Sequence, residues 1–353
     1  MDIVTRAAER NGFSPESVER GLRLHRDSIV IDASAVVYRR EQRRPIQWDR
    51  YAEGGITATN HTVSDPDLGY VDTLAQIGDA RRWIDANADK VMLATSAADI
   101  ERAHADGIGA ILFGPQDAGF LDFDLGRLHI VHDLGVRILQ LTYQRRNCIG
   151  DGCQEANPGK LSDFGRAVVR EMDALRMVID VSHTSEATSF DVIENAERPV
   201  VLTHAHPAKL TPHIRAKSDE LLTQIAATGG VVGLTTLSTF VQLNDSGRRP
   251  TVDDYLAHID YLVDLIGPDH VGIGSDLDES LSEEEVAALP NQEFVATWFG
   301  PYDWESHLVA YLTEAVELPI IAVGLAARGY DDTTVRKILG GNFLRVFREV
   351  WGK

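Results

Sequence analysis

Cysteine is nearly missing from this 353-residue chain. Cys148 and Cys153 are the only two, so no disulfide framework is expected. Long apolar runs are missing as well: no stretch approaches the ~18 apolar residues of a spanning helix. The opening M-D-I-V-T-R-A-A-E-R lacks an apolar core and a small-residue cleavage site, so no secretory signal is expected. Positive charge is in deficit. Lys and Arg total 34 against 54 Asp and Glu, for a formal charge of -20, the wrong sign for a nucleic-acid backbone or an anionic lipid surface. Proline/serine linkers, low-complexity tracts and clear repeats are also lacking. The remaining expectation is a cytoplasmic, acidic globular protein without a nucleic-acid or membrane partner. A homo-oligomer is compatible with it.

What the chain does have is a recurring apolar, β-branched run followed by an amphipathic helical stretch. Eight such runs can be read: 28–32 (S-I-V-I-D), 55–60 (G-I-T-A-T-N), 109–114 (G-A-I-L-F-G), 136–142 (V-R-I-L-Q-L-T), 177–182 (M-V-I-D-V-S), 199–203 (P-V-V-L-T), 230–235 (G-V-V-G-L-T) and 270–275 (H-V-G-I-G-S). Near-continuous apolar strands are those buried on both faces. Eight of them alternating with helices predict an α/β fold, a (β/α)8 TIM barrel, with its active site at the strand C-terminal ends. The expected domain organisation is one barrel over residues 1–353. The first twenty-odd residues would add an N-terminal helix. An insertion at about 277–330 is too long for a bare loop and should carry short helices. T-V-R-K-I-L-G-G-N-F-L-R-V-F should close the chain as a helical segment.

The residues just past the strands would then share a pocket: Ser34, His61, Gln116, Tyr143, His183, His204, Thr235, Thr236 and Asp276. Histidines at consecutive strands with an aspartate two strands on suit Zn2+ or a similar borderline ion. The plainer alternative makes each histidine a hydrogen-bonded strand end. His206 forms H-x-H with His204, but the strand is expected to end at Thr203, which makes His206 a loop histidine rather than a ligand. Cys148 and Cys153, in R-N-C-I-G-D-G-C, read as reduced loop thiols rather than a zinc pair. His129 and His132 read as helix surface. Trp298, Phe299, Tyr302 and Trp304 in the insertion could wall a substrate pocket or a subunit contact, and the acidic D-E-S-L-S-E-E-E reads as a solvated helix start.

Several blocks in order resemble the membrane (renal) dipeptidase family, zinc hydrolases among the amidohydrolase barrels. They are D-L-G-V-R-I-L-Q-L-T, L-S-D-F-G-R-A-V-V-R-E-M-D-A-L-R-M-V-I-D-V-S-H, R-P-V-V-L-T-H, H-I-R-A-K-S-D-E, H-V-G-I-G-S-D-L-D and I-L-G-G-N-F-L-R-V-F. The match covers most of the chain and is weakest before residue 105 and across 277–330. The resemblance implies two bridged metal ions and hydrolysis of dipeptides, often with tolerance for a D-residue at the C-terminal side. It also implies that His183 and His204 bind one ion. Asp276 would serve the other ion and handle the attacking water's proton, and Arg215 would grip the substrate carboxylate.

Other positions depart from the family pattern. Ser34 and Val36 stand where it has a histidine-any-aspartate ligand pair. Gln116 stands at the bridging glutamate and Tyr143 at a substrate-binding histidine. Valine cannot coordinate an ion, and an amide offers one neutral oxygen where a carboxylate bridged two cations. One Zn ion held by His183, His204 and Asp276 is therefore expected, with Arg215, Tyr143 and Gln116 against the substrate. The function expected is metal-dependent hydrolysis of a small amide with a free carboxylate, a dipeptide or an N-acyl amino acid. Two alternatives stay open: the same barrel turned to non-peptide C–N hydrolysis or a lyase step, and a non-catalytic carboxylate-binding relic.

Overall fold

The computed structural model describes residues 2–35, 48–64, 66–243, 247–277, 283–287, 296 and 299–352. Among these, nine strands form one parallel sheet: β1 (Ile31–Ala35), β2 (Ala58–His61), β3 (Val91–Leu93), β4 (Gly109–Phe113), β5 (Ile138–Gln140), β6 (Val178–Asp180), β7 (Val200–Ala205), β8 (Val232–Leu234) and β9 (Val271–Ile273). Their order is β3-β4-β2-β1-β9-β8-β7-β6-β5. Helices such as Asp163–Ala174, Asp219–Ala227 and Val252–Ile266 link them, and helical crossovers are what parallel neighbours require.

The fold is α/β with a curled parallel sheet, and it has one strand more than the eight expected. The addition is β3, whose V-M-L is too short to show a period; it pairs with the start of β4 through Val91 and Gly109. Further along, a parallel bridge joins Phe113 to Val136. The amides of Arg137 and Gln140 donate to the carbonyls of Phe113 (3.2 Å) and Pro115 (3.1 Å). Backbone bonds thus tie β4 to the segment entering the opposite edge strand.

β7 also departs from expectation, running two residues beyond Thr203, with a register shift against β8 between Leu202 and Ala205. That irregularity turns the Thr203 carbonyl towards β8 and β9. A Cβ on Gly233 or Gly274 would lie 2.1 Å or 1.7 Å from its oxygen. Only glycine admits such an approach.

The N-terminal segment is two helices rather than one, Asp2–Arg10 and Pro15–Arg26, separated at Gly12 with φ of 72°. Ser14 caps the second, with proline at its first position. It packs on helix Pro319–Ala327 of the expected insertion so closely that a Cβ on Gly21 would meet the Val323 Cα at 2.4 Å. The closing segment is helical as expected, but kinked. Gly340 has extended φ between Asp332–Arg336 and Asn342–Trp351, and a Cβ there would lie 2.4 Å from the Ile29 oxygen and 2.8 Å from the Ile31 nitrogen. The kink therefore seats on the entry to β1. Gly340→Ala should lower stability by about 2 kcal/mol or more through this backbone overlap. Urea unfolding tests this, and an unchanged midpoint would show that the kink can shift freely.

Candidate active site

The site is built from two buried aspartates within apolar strands, in I-D-A-S (31–34) and I-D-V-S (179–182). Asp180, the last residue of β6, accepts bonds from the Ser182 amide (2.9 Å) and hydroxyl (2.5 Å). It also accepts from the Thr203 amide (3.2 Å) and hydroxyl (2.5 Å). Asp32 does the same between β1 and β9, accepting from the Ser34 amide (3.3 Å) and from the Ser275 amide (2.8 Å) and hydroxyl (2.5 Å). Burial pushes the Asp32 carboxyl up to about 6 against these bonds, and pushes Asp180 up as well. Each carboxylate fastens the residue two places on to the tip of the neighbouring strand.

His183 and His204 follow directly from the Asp180 clamp. Their rings are buried, with centroids 4.8 Å apart and Nε2 atoms 2.7 Å apart. The Thr203 hydroxyl proton is committed to Asp180, so Thr203 Oγ1 accepts from His204 Nδ1 at 2.9 Å. This network assigns the His204 proton to Nδ1 and leaves a lone pair on Nε2, towards which His183 Nε2–H points. Burial, then the Arg215 charge, hold both imidazoles well below the ordinary histidine range, so both are neutral. Tyr143 stacks on His183 with centroids 4.2 Å apart.

Two neutral imidazoles fit a borderline ion. Tetrahedral Zn–N bonds of about 2.0–2.1 Å put two nitrogens about 3.3 Å apart, a small opening of the observed pair. For His204 the outer support is already present, in the form of the Thr203–Asp180 relay. His183 Nδ1 is buried with no hydrogen-bond partner among the described residues. Among the described residues no group of three His, Cys, Asp or Glu side chains has a ligand arrangement, so Asp276 does not complete the pair as the residues stand.

Asp276 instead belongs to a hydrogen-bonded cluster with Ser34 and Gln116. Ser34 Oγ donates to its Oδ1 at 3.1 Å, and Gln116 Nε2 reaches Ser34 Oγ at 3.5 Å. Asp276 has φ of 60°, the left-handed region that an aspartate tolerates better than most residues. Its amide is held by the Ser34 carbonyl at 2.9 Å. Gln140 Nε2 fixes the Gln116 carbonyl at 2.5 Å. Val36 and Trp298 lie outside the described residues.

Arg215 is 3% exposed. It donates to the Ser182 carbonyl, and through Nη2 to the His204 carbonyl at 3.4 Å. Its guanidinium carbon sits 5.8 Å from the Phe240 ring centroid. His206 stacks on Phe240 at 4.6 Å, with both ring nitrogens buried and without a hydrogen-bond partner among the described residues. His61 closes β2 with Nε2 2.5 Å from Thr59 Oγ1. Cys148 and Cys153 are free thiols. Phe299, Trp304 and His307 stack together, while the Tyr302 hydroxyl donates to Gln242 Oε1 at 2.9 Å.

Residues 45–290 match the model of the membrane dipeptidase family, peptidase family M19. The chain belongs to that family. An uncharacterized protein from the pqqA 5' region of Klebsiella pneumoniae is 31% identical over 285 residues, 78% of this chain and 95% of that protein. Dipeptidase verJ of Clonostachys rogersoniana is 28% identical over 280 residues, 79% of this M19 chain but 65% of the fungal protein. The crystal structure of an amidohydrolase from Pseudomonas aeruginosa is 33% identical with a TM-score of 0.83, covering 94% of this chain and 99% of that one. No helix among the described residues is long and apolar enough to cross a membrane.

In this M19 chain Asp32 and Asp180 lie outside the expected site residues, though the repeated D-x-S at two strand tips signals both. Lys217 also lies outside them; it donates from Nζ to the carbonyls of Val181 (3.2 Å) and Thr184 (2.7 Å). Asp180→Asn tests the relay. The new amide must donate to Thr203 Oγ1, which turns the threonine proton towards His204 Nδ1 and moves the ring proton to Nε2. Histidine 15N spectra should show that tautomer switch, and urea unfolding a loss of about 2–4 kcal/mol. An unmoved tautomer would remove Thr203 as the determinant.

Proposed function

We propose that this M19 member is a metal-dependent hydrolase of a small amide bearing a free carboxylate, a dipeptide or an N-acyl amino acid. The observation that carries the reading is the neutral His183–His204 pair, whose Nε2 atoms lie 2.7 Å apart beside the buried Arg215. His183 and His204 would hold one Zn2+ or similar ion, with Asp276 as third ligand on substrate binding. Such an ion polarises a carbonyl and acidifies bound water. Asp276 takes the proton at its carboxylate and returns it to the leaving amine. Arg215 orients the substrate carboxylate with the N–H groups not given to Ser182 and His204. Tyr143 and Gln116 line the substrate, Gln116 donating from an amide where a carboxylate could only accept. In the same reading the curled sheet closes as a (β/α)8 barrel within one domain spanning the chain, with an insertion at about 277–330. The two free thiols fit a cytoplasmic setting.

The Gln116–Ser34–Asp276 hydrogen-bond chain favours a second reading. The neutral Ser34 and Gln116 beside the Asp276 carboxylate suit a non-peptide C–N hydrolysis or a lyase step on the same scaffold. A carboxylate-binding protein without catalysis is the outcome if neither activity is found.

Elemental analysis of dialysed protein should give at most one tightly held ion per chain; two stoichiometric ions would overturn the one-ion reading. Ser34→His, Val36→Asp and Gln116→Glu together should raise that stoichiometry. A dipeptide panel then divides the two enzymatic readings, and turnover of about 10 s⁻¹ or faster by the wild type would eliminate the second. With the substrate so found, Arg215→Lys should lower kcat/KM about tenfold or more, because a lysine cannot reproduce the planar fork. An unchanged value would take Arg215 out of the substrate site.

A further inference from the structure

We propose that Lys217 is a positioning residue of the active site: it fixes the turn that carries His183 and so sets the His183–His204 pair. The proposal rests on the reading of that pair as the functional centre.

The Thr184 amide donates to the Val181 carbonyl at 3.1 Å, which makes Val181–Thr184 a tight turn with Ser182 and His183 at its centre. A turn leaves carbonyls pointing outward, and buried carbonyls need partners. All four are held from elsewhere in the chain. Ser182 is held by Arg215 and His183 by the Cys153 amide at 2.8 Å, while Val181 and Thr184, at the two ends, share Lys217 Nζ. An ammonium suits that last task, because its three donors radiate from one point, whereas a guanidinium presents a planar fork.

The chain brings Lys217 there through the return of the loop after β7. Lys217 N donates to the His206 carbonyl at 3.0 Å and Ala208 N to the Lys217 carbonyl at 2.9 Å, a parallel bridge between Pro207 and Lys217. Arg215 lies just before it, in the turn closed by the Ala216 amide on the His213 carbonyl at 3.0 Å, and both side chains reach the 181–184 turn. The same backbone hydrogen bonds thus couple the carbonyl just past His204 to the lysine beneath His183. No carboxylate ion pair is formed by Lys217 or Arg215 among the described residues. Lys217 is 1% exposed, and burial lowers its ammonium to about 8, with Arg215 adding to that shift and Cys153, Glu186 and Asp180 opposing it. A cation kept under these conditions for two backbone carbonyls at one turn is placed for the geometry of that turn.

Lys217→Met keeps the length and bulk of the side chain and removes the donors. Two readouts apply: Zn2+ affinity by chelator competition, and the His183 Nε2–H to His204 Nε2 hydrogen bond in metal-free protein by histidine 15N spectra. The variant should bind zinc about tenfold or more weakly, the range for loss of an outer-shell partner, and the hydrogen-bonded signal should disappear. Lys217→Arg keeps donors and charge and should recover part of both. Leu262→Ala, a change in the buried core on helix Val252–Ile266, should lose stability while moving neither. Lys217→Met with zinc affinity within about twofold of wild type and an intact His183 signal would overturn the proposal. Absence of zinc binding in the wild type would defeat the one-ion reading alone, since the metal-free spectra still decide whether Lys217 sets the pair. If Lys217→Met fails to fold, Lys217→Gln, whose amide is too short to span both carbonyls, is measured in its place with the same deciding outcomes.

Discussion

The bond from Asp180 to Thr203 is the constraint on which the rest of the site depends. A carboxylate at the end of an apolar strand is expensive unless its oxygens are filled, and here four donors fill them. Those donors belong to two adjacent strands, so the aspartate sets the stagger of β6 and β7 at their tips. Each strand then delivers a histidine one residue past its clamped hydroxyl residue. The clamp also leaves Thr203 Oγ1 able only to accept from His204, which decides where that ring keeps its proton. A single buried charge thus fixes spacing, orientation and tautomer. Asp32 repeats the device across β1 and β9, but there the clamped residues lead to Ser34 and Asp276, and the result is a hydrogen-bonded cluster without imidazoles.

Charge distribution gives the two halves opposite character. Beside His183 and His204 two cations, Arg215 and Lys217, are bound to carbonyls, and burial with the Arg215 charge keeps the imidazoles neutral. Asp276 accepts from the Ser34 hydroxyl, which Gln116 also reaches, and its charge bears on Asp32. The two carbonyl-bound cations thus lie on the histidine side and the Asp276 carboxylate on the other, in a chain of net charge -20.

Much of this was legible in the residues. Apolar runs locate eight of the nine strands among the described residues, and the histidines at two strand tips lie side by side. β3 escaped because three residues cannot display a period, and its pairing with β4 is a tertiary choice. The end of β7 was misjudged because Thr203 looked like a strand terminus. The glycines at 233 and 274, which admit the Thr203 carbonyl and let the strand continue, act from other strands. Asp180 was hidden by its surroundings: an acid inside M-V-I-D-V-S reads as a lapse in the strand until its partner strand is known. Lys217 sits in a polar loop where a lysine carries no signal at all. His183, Arg215 and Lys217 become one assembly only when the loop after β7 has folded back.

The contact of Gly21 with Val323, joined by Arg20 to Asp332 and Arg336 to the Asp27 carbonyl, has a kinetic meaning. It unites segments some three hundred residues apart in sequence. Such long loops are closed late, after local elements have formed. During synthesis the first helices leave the ribosome long before their partner exists, and their apolar faces must wait. The Gly340 kink, which seats on the entry to β1, follows later still. The entry to the sheet's first strand is therefore covered by chain made long after it, and a nascent molecule not yet extended that far has its amino-terminal helices unsheltered, a state prone to capture by chaperones or by other chains.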